Sequence, residues 1–222
     1  MGDIAIFEKE RASGYDNFVQ AWIPNYQFII NSIPAILGTT SNKPLLVAGC
    51  GTGNEILAFK RYRKEWDITG VDPSQDMVSQ ARSKLKDYSK VQLLKGEVKD
   101  LSSRFQFGAA TLLLVLHFLK DDGTKLQLLQ DISERLESGS PLILFDIFGT
   151  GKVFKENLSM LQYFIPPEIE ADEKQTRMER IENALYNIDE DRLFELLVQA
   201  GFNIPLKFYQ ASIYGCWIAR KT

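Results

Sequence analysis

Leu45-Leu46-Val47-Ala48-Gly49-Cys50-Gly51-Thr52-Gly53-Asn54-Glu55 is an apolar run of strand character that breaks into three alternating glycines and then into a helical pattern. Glycine has no Cβ, so it takes up positive φ and lets a ligand approach the main chain, as a strand-to-helix turn beneath a bound nucleotide requires. The spacing is Gly-x-Gly-x-Gly and not the Gly-x-Gly-x-x-Gly of most nicotinamide and flavin sites, which argues against a dinucleotide. Asp72 stands 21 positions beyond Gly51, at the end of a second predicted strand, Trp66 to Val71. That interval lets a strand-helix-strand unit present a carboxylate to a ribose diol. The plainer alternative is a helix N-terminal carboxylate offsetting the macrodipole.

Outward from this unit the chain alternates between the two periodicities. Glu55 to Lys64 and Ser74 to Tyr88 read as helices, and Val91 to Lys95 as a third strand. Phe107 to Leu116 is almost wholly apolar, as a central parallel strand covered on both faces would be. Asp121 to Glu137 reads as a helix and Pro141 to Ile147 as strand five. A last crossover helix spans Ile188 to Ala200, ahead of a hairpin from Phe202 to Arg220. Upstream, residues 1 to 38 carry Phe7, Tyr15, Phe18, Trp22, Tyr26 and several isoleucines, and read as two or three short helices forming an N-terminal cap. Thr39 to Pro44 is a polar loop into strand one. Residues 149 to 187 are too many for a simple connection and contain two helical patterns around Pro166-Pro167. They leave strand five at the end where open sheets bind ligands, so they are expected to form a lid, with Met160, Leu161, Tyr163, Phe164 and Ile165 as its apolar face; the competing account is a dimer interface that buries the same face.

With 222 residues, 45% hydrophobic and 25% charged, the chain has the composition of one ordinary globular domain. A net charge of -3 without a basic run argues against nucleic acid as a partner. The longest largely apolar run, Ala109 to Leu116, is too short to cross a bilayer, and no export signal is visible. The two cysteines, Cys50 and Cys216, form neither a disulfide framework nor a ligand cluster, so no metal is expected and a reducing cytoplasm is the simplest location.

Ala48-Gly49-Cys50-Gly51-Thr52-Gly53 resembles the first motif of class I S-adenosylmethionine-dependent methyltransferases, and Gly70-Val71-Asp72-Pro73-Ser74-Gln75-Asp76-Met77-Val78 resembles their second. The resemblance runs from about Tyr15 to the end. It implies a Rossmann-like α/β fold: a seven-stranded sheet, mostly parallel with an antiparallel last strand, and helices on both faces. It also implies S-adenosylmethionine as cofactor, held by Ala48, Gly49, Gly51, Gly53, Asp72, Pro73 and Met77. In this family the acidic residue after a glycine such as Gly96 accepts from the adenine amino group, and the next main-chain N–H serves the ring. Those roles fall to Glu97 and Val98. Leu113 and Leu114 would line the floor of the transfer site, and Ile23-Pro24-Asn25-Tyr26 resembles a leader segment that brings Tyr26 over the cofactor.

Three departures from the family stand out. Val47 replaces the usual acidic residue two before the first glycine, Phe107-Gly108 replaces a common Phe-Asp, and no Asn-Pro-Pro-Tyr type sequence follows strand four. The last argues against amino methylation of adenine or glutamine. Transfer to a small-molecule acceptor by a monomer or homodimer is the implied activity. The alternatives are a carboxy-S-adenosylmethionine synthase-like enzyme, with Arg177 or Arg180 meeting the extra carboxylate, and a non-catalytic partner that binds the cofactor. His117, the one histidine, is the candidate general base, with Tyr15 and Tyr26 behind it; the bland account is a structural core histidine.

Overall fold

The computed structural model describes residues 10–38, 43–104 and 106–222. Phe7 and the 39–42 part of the polar loop lie outside the described residues. Seven strands form one sheet: β1 (Leu45–Ala48), β2 (Ile68–Asp72), β3 (Val91–Lys95), β4 (Ala109–Leu113), β5 (Pro141–Ile147), β6 (Leu206–Ala211) and β7 (Tyr214–Arg220). Their order is β3-β2-β1-β4-β5-β7-β6, and β1 to β5 are mutually parallel. β7 inserts antiparallel between β5 and β6, as the fold class implied. The chain builds outward from β1 to β3, then returns to the other side of β1 as β4. This reversal opens a crevice at the carboxyl ends of β1 and β4.

Among the described residues eight α-helices accompany the strands: α1 (Glu10–Trp22), α2 (Tyr26–Leu37), α3 (Asn54–Tyr62), α4 (Gln75–Lys84), α5 (Thr124–Glu134), α6 (Gly151–Leu161), α7 (Ala171–Asn183) and α8 (Glu190–Gln199). The strand period of two divides the core between the faces. Leu45 and Val47 point into a cluster with the isoleucines of α2, with Ile56 and Phe59 of α3, and with Phe154, Leu158, Leu161 and Ile181 of α6 and α7. Leu46 and Ala48 point to the opposite face, against α5 and α8. All five residues of β4 are buried, so its sequence carries no alternation.

Two predicted boundaries shift for identifiable reasons. The helix read as starting at Ser74 begins at Gln75 because Ser74 is its N-cap, its hydroxyl accepting from the Met77 N–H at 3.2 Å. Strand four ends at Leu113, because Leu114 turns into the left-handed region at φ 60° and a short 3-10 turn, Leu116–Phe118, follows. The apolar face expected on residues 149–187 is divided. Phe154, Leu158, Leu161 and Ile165 form the buried stripe at helical spacing. Met160, Tyr163 and Phe164 lie off that stripe and are exposed.

Candidate active site

The glycine turn is shaped by three positive φ angles, 71° at Gly49, 48° at Gly51 and 82° at Gly53, but the glycines serve different ends. A Cβ on Gly49 would stand 2.4 Å from Val115 Cγ2, so this glycine lets the turn pass under the loop after β4. A Cβ on Gly51 would meet only the Tyr15 ring, at 3.9 Å, so this residue faces open space. On Gly53 it would stand 2.9 Å from Leu85 and 3.2 Å from Ala81, which makes Gly53 a packing position between α3 and α4. It does not line the cavity.

Asp72 closes the unit. Its Oδ2 accepts from the Gly51 N–H and its Oδ1 from the Ser74 N–H, both at 2.9 Å. Burial raises its pKa and these two bonds oppose the rise. A carboxylate has about four lone-pair directions, so two remain for a ligand. Around it lies a cavity of about 620 Å³ at the switch point. Ala48, Gly49, Gly51, Asp72, Pro73, Met77, Glu97, Val98, Leu113 and Leu114 all line it. Tyr26 does not. Asn25, at φ 58°, turns the chain so that α2 runs back over the sheet, and Tyr26 packs into the core with Ile29, Ile30 and Ile33. Tyr15, one helix earlier, takes the place over the cavity.

Sequence reasoning missed two sets of supports. Asp16 accepts hydrogen bonds from Thr52, Asn54 and Lys84, tying α1, and with it Tyr15, to the glycine turn. Arg135 is buried and donates to the Lys99 and Leu101 carbonyls, which holds the Glu97–Val98 wall in place. No motif marks either set, because each joins distant elements through ordinary polar residues.

A second cavity, about 260 Å³, adjoins the first, and Tyr15, Leu114 and Phe118 line both. His117 lines this second cavity, not the first. Arg177 and Arg180 of α7 reach it as well, so the charge-dense helix is not solely a solvated face. The Arg177 guanidinium lies over the Phe18 ring at 4.6 Å from its centroid. Burial lowers its pKa, and its Nε has no hydrogen-bond partner among the described residues. Beneath the site, Lys125 donates to the Leu116 and Tyr186 carbonyls and the Tyr186 N–H donates to the His117 carbonyl, which joins the end of the insertion to the cavity floor. Among the described residues no cluster of His, Cys, Asp or Glu could hold a metal ion, and no helix is long and apolar enough to cross a membrane.

Glu55, in the first turn of α3, is buried behind the glycine turn, and burial pushes its carboxyl up to about 8. The folded pKa exceeds the unfolded one, so its contribution to stability is complete below about pH 4.5 and is lost as pH rises toward about 8. Glu55→Gln should remove this dependence. Wild-type protein should lose on the order of a few kcal/mol between pH 5 and pH 8.5 that the variant keeps. Urea unfolding at the two pH values decides, and parallel losses would mean that Glu55 is not the titrating group.

Fold and site together define a class: a Rossmann-like sheet with a nucleoside-sized cavity under a glycine turn and a carboxylate at the end of β2. The comparisons agree. Residues 46–142 match the family model described as a methyltransferase domain. Carboxy-S-adenosyl-L-methionine synthases of Helicobacter pylori (strain HPAG1) and Actinobacillus pleuropneumoniae serotype 7 are each 26% identical, over 97% and 100% of this chain and 94% and 95% of theirs. Human N-acetylserotonin methyltransferase in complex with S-adenosylmethionine superposes with a TM-score of 0.67 at 18% identity. That match covers 98% of this chain, which spans only 58% of the human chain. Magnesium protoporphyrin IX methyltransferase of Synechocystis PCC 6803 superposes at 0.68 with 16% identity, over 98% and 97% of the two chains. Residues 46–142 thus form a methyltransferase domain, and the whole chain has the fold of the S-adenosylmethionine-dependent methyltransferases it superposes on; it is an enzyme, and S-adenosylmethionine is its cofactor.

Proposed function

We propose that this enzyme transfers a methyl group to a small, anionic acceptor seated in the 260 Å³ cavity. The carrying observation is the junction of the two cavities at Tyr15, Leu114 and Phe118, with the half-buried Arg177 lining the smaller one. The half-buried Arg177 guanidinium has the Tyr214 hydroxyl beside it and no carboxylate ion partner among the described residues, so an anionic ligand would offset its desolvation. The cofactor, when bound, supplies an electrophilic methyl on a sulfonium leaving group, which leaves alignment and exclusion of water to the protein.

In this reading Asp72 accepts from the ribose diol, Gly49 and Gly51 leave room for the cofactor against the main chain, and Glu97 and Val98 serve the adenine. Ala48, Pro73, Met77, Leu113 and Leu114 supply the walls, and His117 is the base. The residue set fits the group on two counts: Gly51 is open where a ligand must touch backbone, and Asp72 keeps lone pairs free. Residues 10–38 and 149–187 act as a cover, α1 bringing Tyr15 and Phe18 and α7 its two arginines. The enzyme works in the cytoplasm, in keeping with two free, buried cysteines.

A second reading has a specific observation in its favour. The 26% identical relatives are carboxy-S-adenosyl-L-methionine synthases over nearly full length, and Arg177 could meet a carboxylate on the cofactor as well as one on an acceptor. Mass spectrometry of ligand retained on the purified protein separates the two. S-adenosylmethionine or its demethylated product supports methyl transfer, and a carboxylated form supports the synthase. Under the first reading Arg177→Met should weaken the acceptor about tenfold or more while cofactor affinity stays within about twofold. A calorimetric loss of cofactor affinity instead would assign Arg177 to the cofactor.

A further inference from the structure

His117 is the one histidine of the chain, and its ring is held from one side. Nδ1 lies 2.5 Å from Asp146 Oδ1, both side chains being buried. The other contacts of that carboxylate are main-chain donors. Oδ2 accepts from the Val115 N–H at 3.0 Å and the Leu116 N–H at 2.7 Å, and Oδ1 also accepts from the Ile147 N–H at 2.7 Å. A main-chain N–H can only donate, so both oxygens are committed as acceptors and the facing ring nitrogen must supply the hydrogen. That places the proton of the neutral ring on Nδ1 and a lone pair on Nε2. Nε2 has no hydrogen-bond partner among the described residues, and the ring lines the smaller cavity.

We propose that Asp146 and His117 form a proton-accepting dyad for the acceptor, with Asp146 the positioning residue that fixes the ring and its tautomer and His117 Nε2 the atom that takes the proton. The proposal rests on the methyl-transfer reading above. As the acceptor oxygen or nitrogen bonds to the methyl carbon, the carbon–sulfur bond breaks with its electron pair passing to sulfur. The acceptor's proton passes to Nε2, and the imidazolium later returns it to solvent. Asp146 is anchored twice over: it stands at the end of β5, and its carboxylate also shapes the turn that presents Leu114 to both cavities. The same group therefore sets both the base and the wall it acts across.

A lone histidine makes the test direct, since histidine-selective 15N labelling gives one pair of ring signals. In the resting wild-type protein, at a pH where the ring is neutral, Nδ1 should appear protonated and Nε2 as a bare lone-pair nitrogen. Asp146→Asn should reverse this. An amide satisfies the Val115 and Leu116 N–H groups with its oxygen and turns its NH2 to His117, so Nδ1 must accept and Nε2 must carry the hydrogen. Turnover should then fall about a hundredfold or more, with acceptor KM and cofactor affinity within about twofold of wild type. His117→Ala leaves all three main-chain bonds of Asp146 in place and should lose turnover similarly, which keeps the test open if the amide variant folds poorly. A neutral ring protonated on Nε2 in wild type would overturn the proposal, as would unchanged turnover in either variant. The tautomer is read without acceptor, so a correct tautomer in a protein that methylates nothing would overturn the methyl-transfer reading separately.

Discussion

Asp72→Ala should weaken binding of S-adenosylmethionine or its demethylated product by about 1 to 3 kcal/mol, roughly 5- to 150-fold, in a protein that remains folded. The substitution removes the carboxylate proposed to take the ribose diol, and it frees the Gly51 and Ser74 N–H groups that the carboxylate holds at 2.9 Å. Gly51→Val reaches the same site by another route. The protein itself has room for the new side chain, its nearest neighbour being the Tyr15 ring at 3.9 Å, although φ 48° costs a branched residue about 1 to 2 kcal/mol of stability. The branches would stand where the ligand must meet the main chain, so affinity should fall by a similar factor. Calorimetric titration of both variants checks this. Wild-type affinity in either folded variant would mean that the cofactor does not pass over Gly51 and Asp72.

Asp146→Ala should be among the most destabilising single changes in the molecule, at about 3 to 5 kcal/mol. Two buried main-chain N–H groups, the part-buried one of Val115 and the His117 ring would lose their acceptor together, at the point where β4 gives way to the turn under the smaller cavity. For a chain of this length that corresponds to a fall in Tm of roughly 6 to 20 °C. Asp146→Asn keeps one oxygen for two of those donors and should lose distinctly less. Scanning calorimetry of the pair gives the comparison. A loss below about 1 kcal/mol for the alanine variant would show that the turn is held by other contacts, and the positioning role of Asp146 would lose its structural basis.

The legibility of the site follows the distance over which its parts cooperate. Gly49, Gly51 and Asp72 belong to one strand-helix-strand unit, and their spacing is imposed by local geometry, so it survives in a linear reading. The same holds for the sheet. Near-continuous apolar strands separated by amphipathic helices leave few ways to cover both faces, and the antiparallel β7 follows from a final segment too short for a crossover. Gly53 and Tyr26 hold motif positions but have neighbours that the motif does not reveal: Leu85 and Ala81 crowd the first, and the left-handed Asn25 leads the second into the core.

By itself, then, the sequence determined the sheet, the glycine turn with its carboxylate, and the insertion between β5 and α8, because each depends on residue periodicity or on contacts within one supersecondary unit. The smaller cavity was decided only by tertiary structure. Its walls come from α1, the turn after β4, α7 and β7, segments far apart in the chain. Whether a polar residue there faces solvent or ligand depends on how whole helices pack. What Arg177 on a charge-dense helix and Asp146 near the end of an apolar strand each touch is likewise defined by partners that only folding brings within hydrogen-bonding or stacking distance.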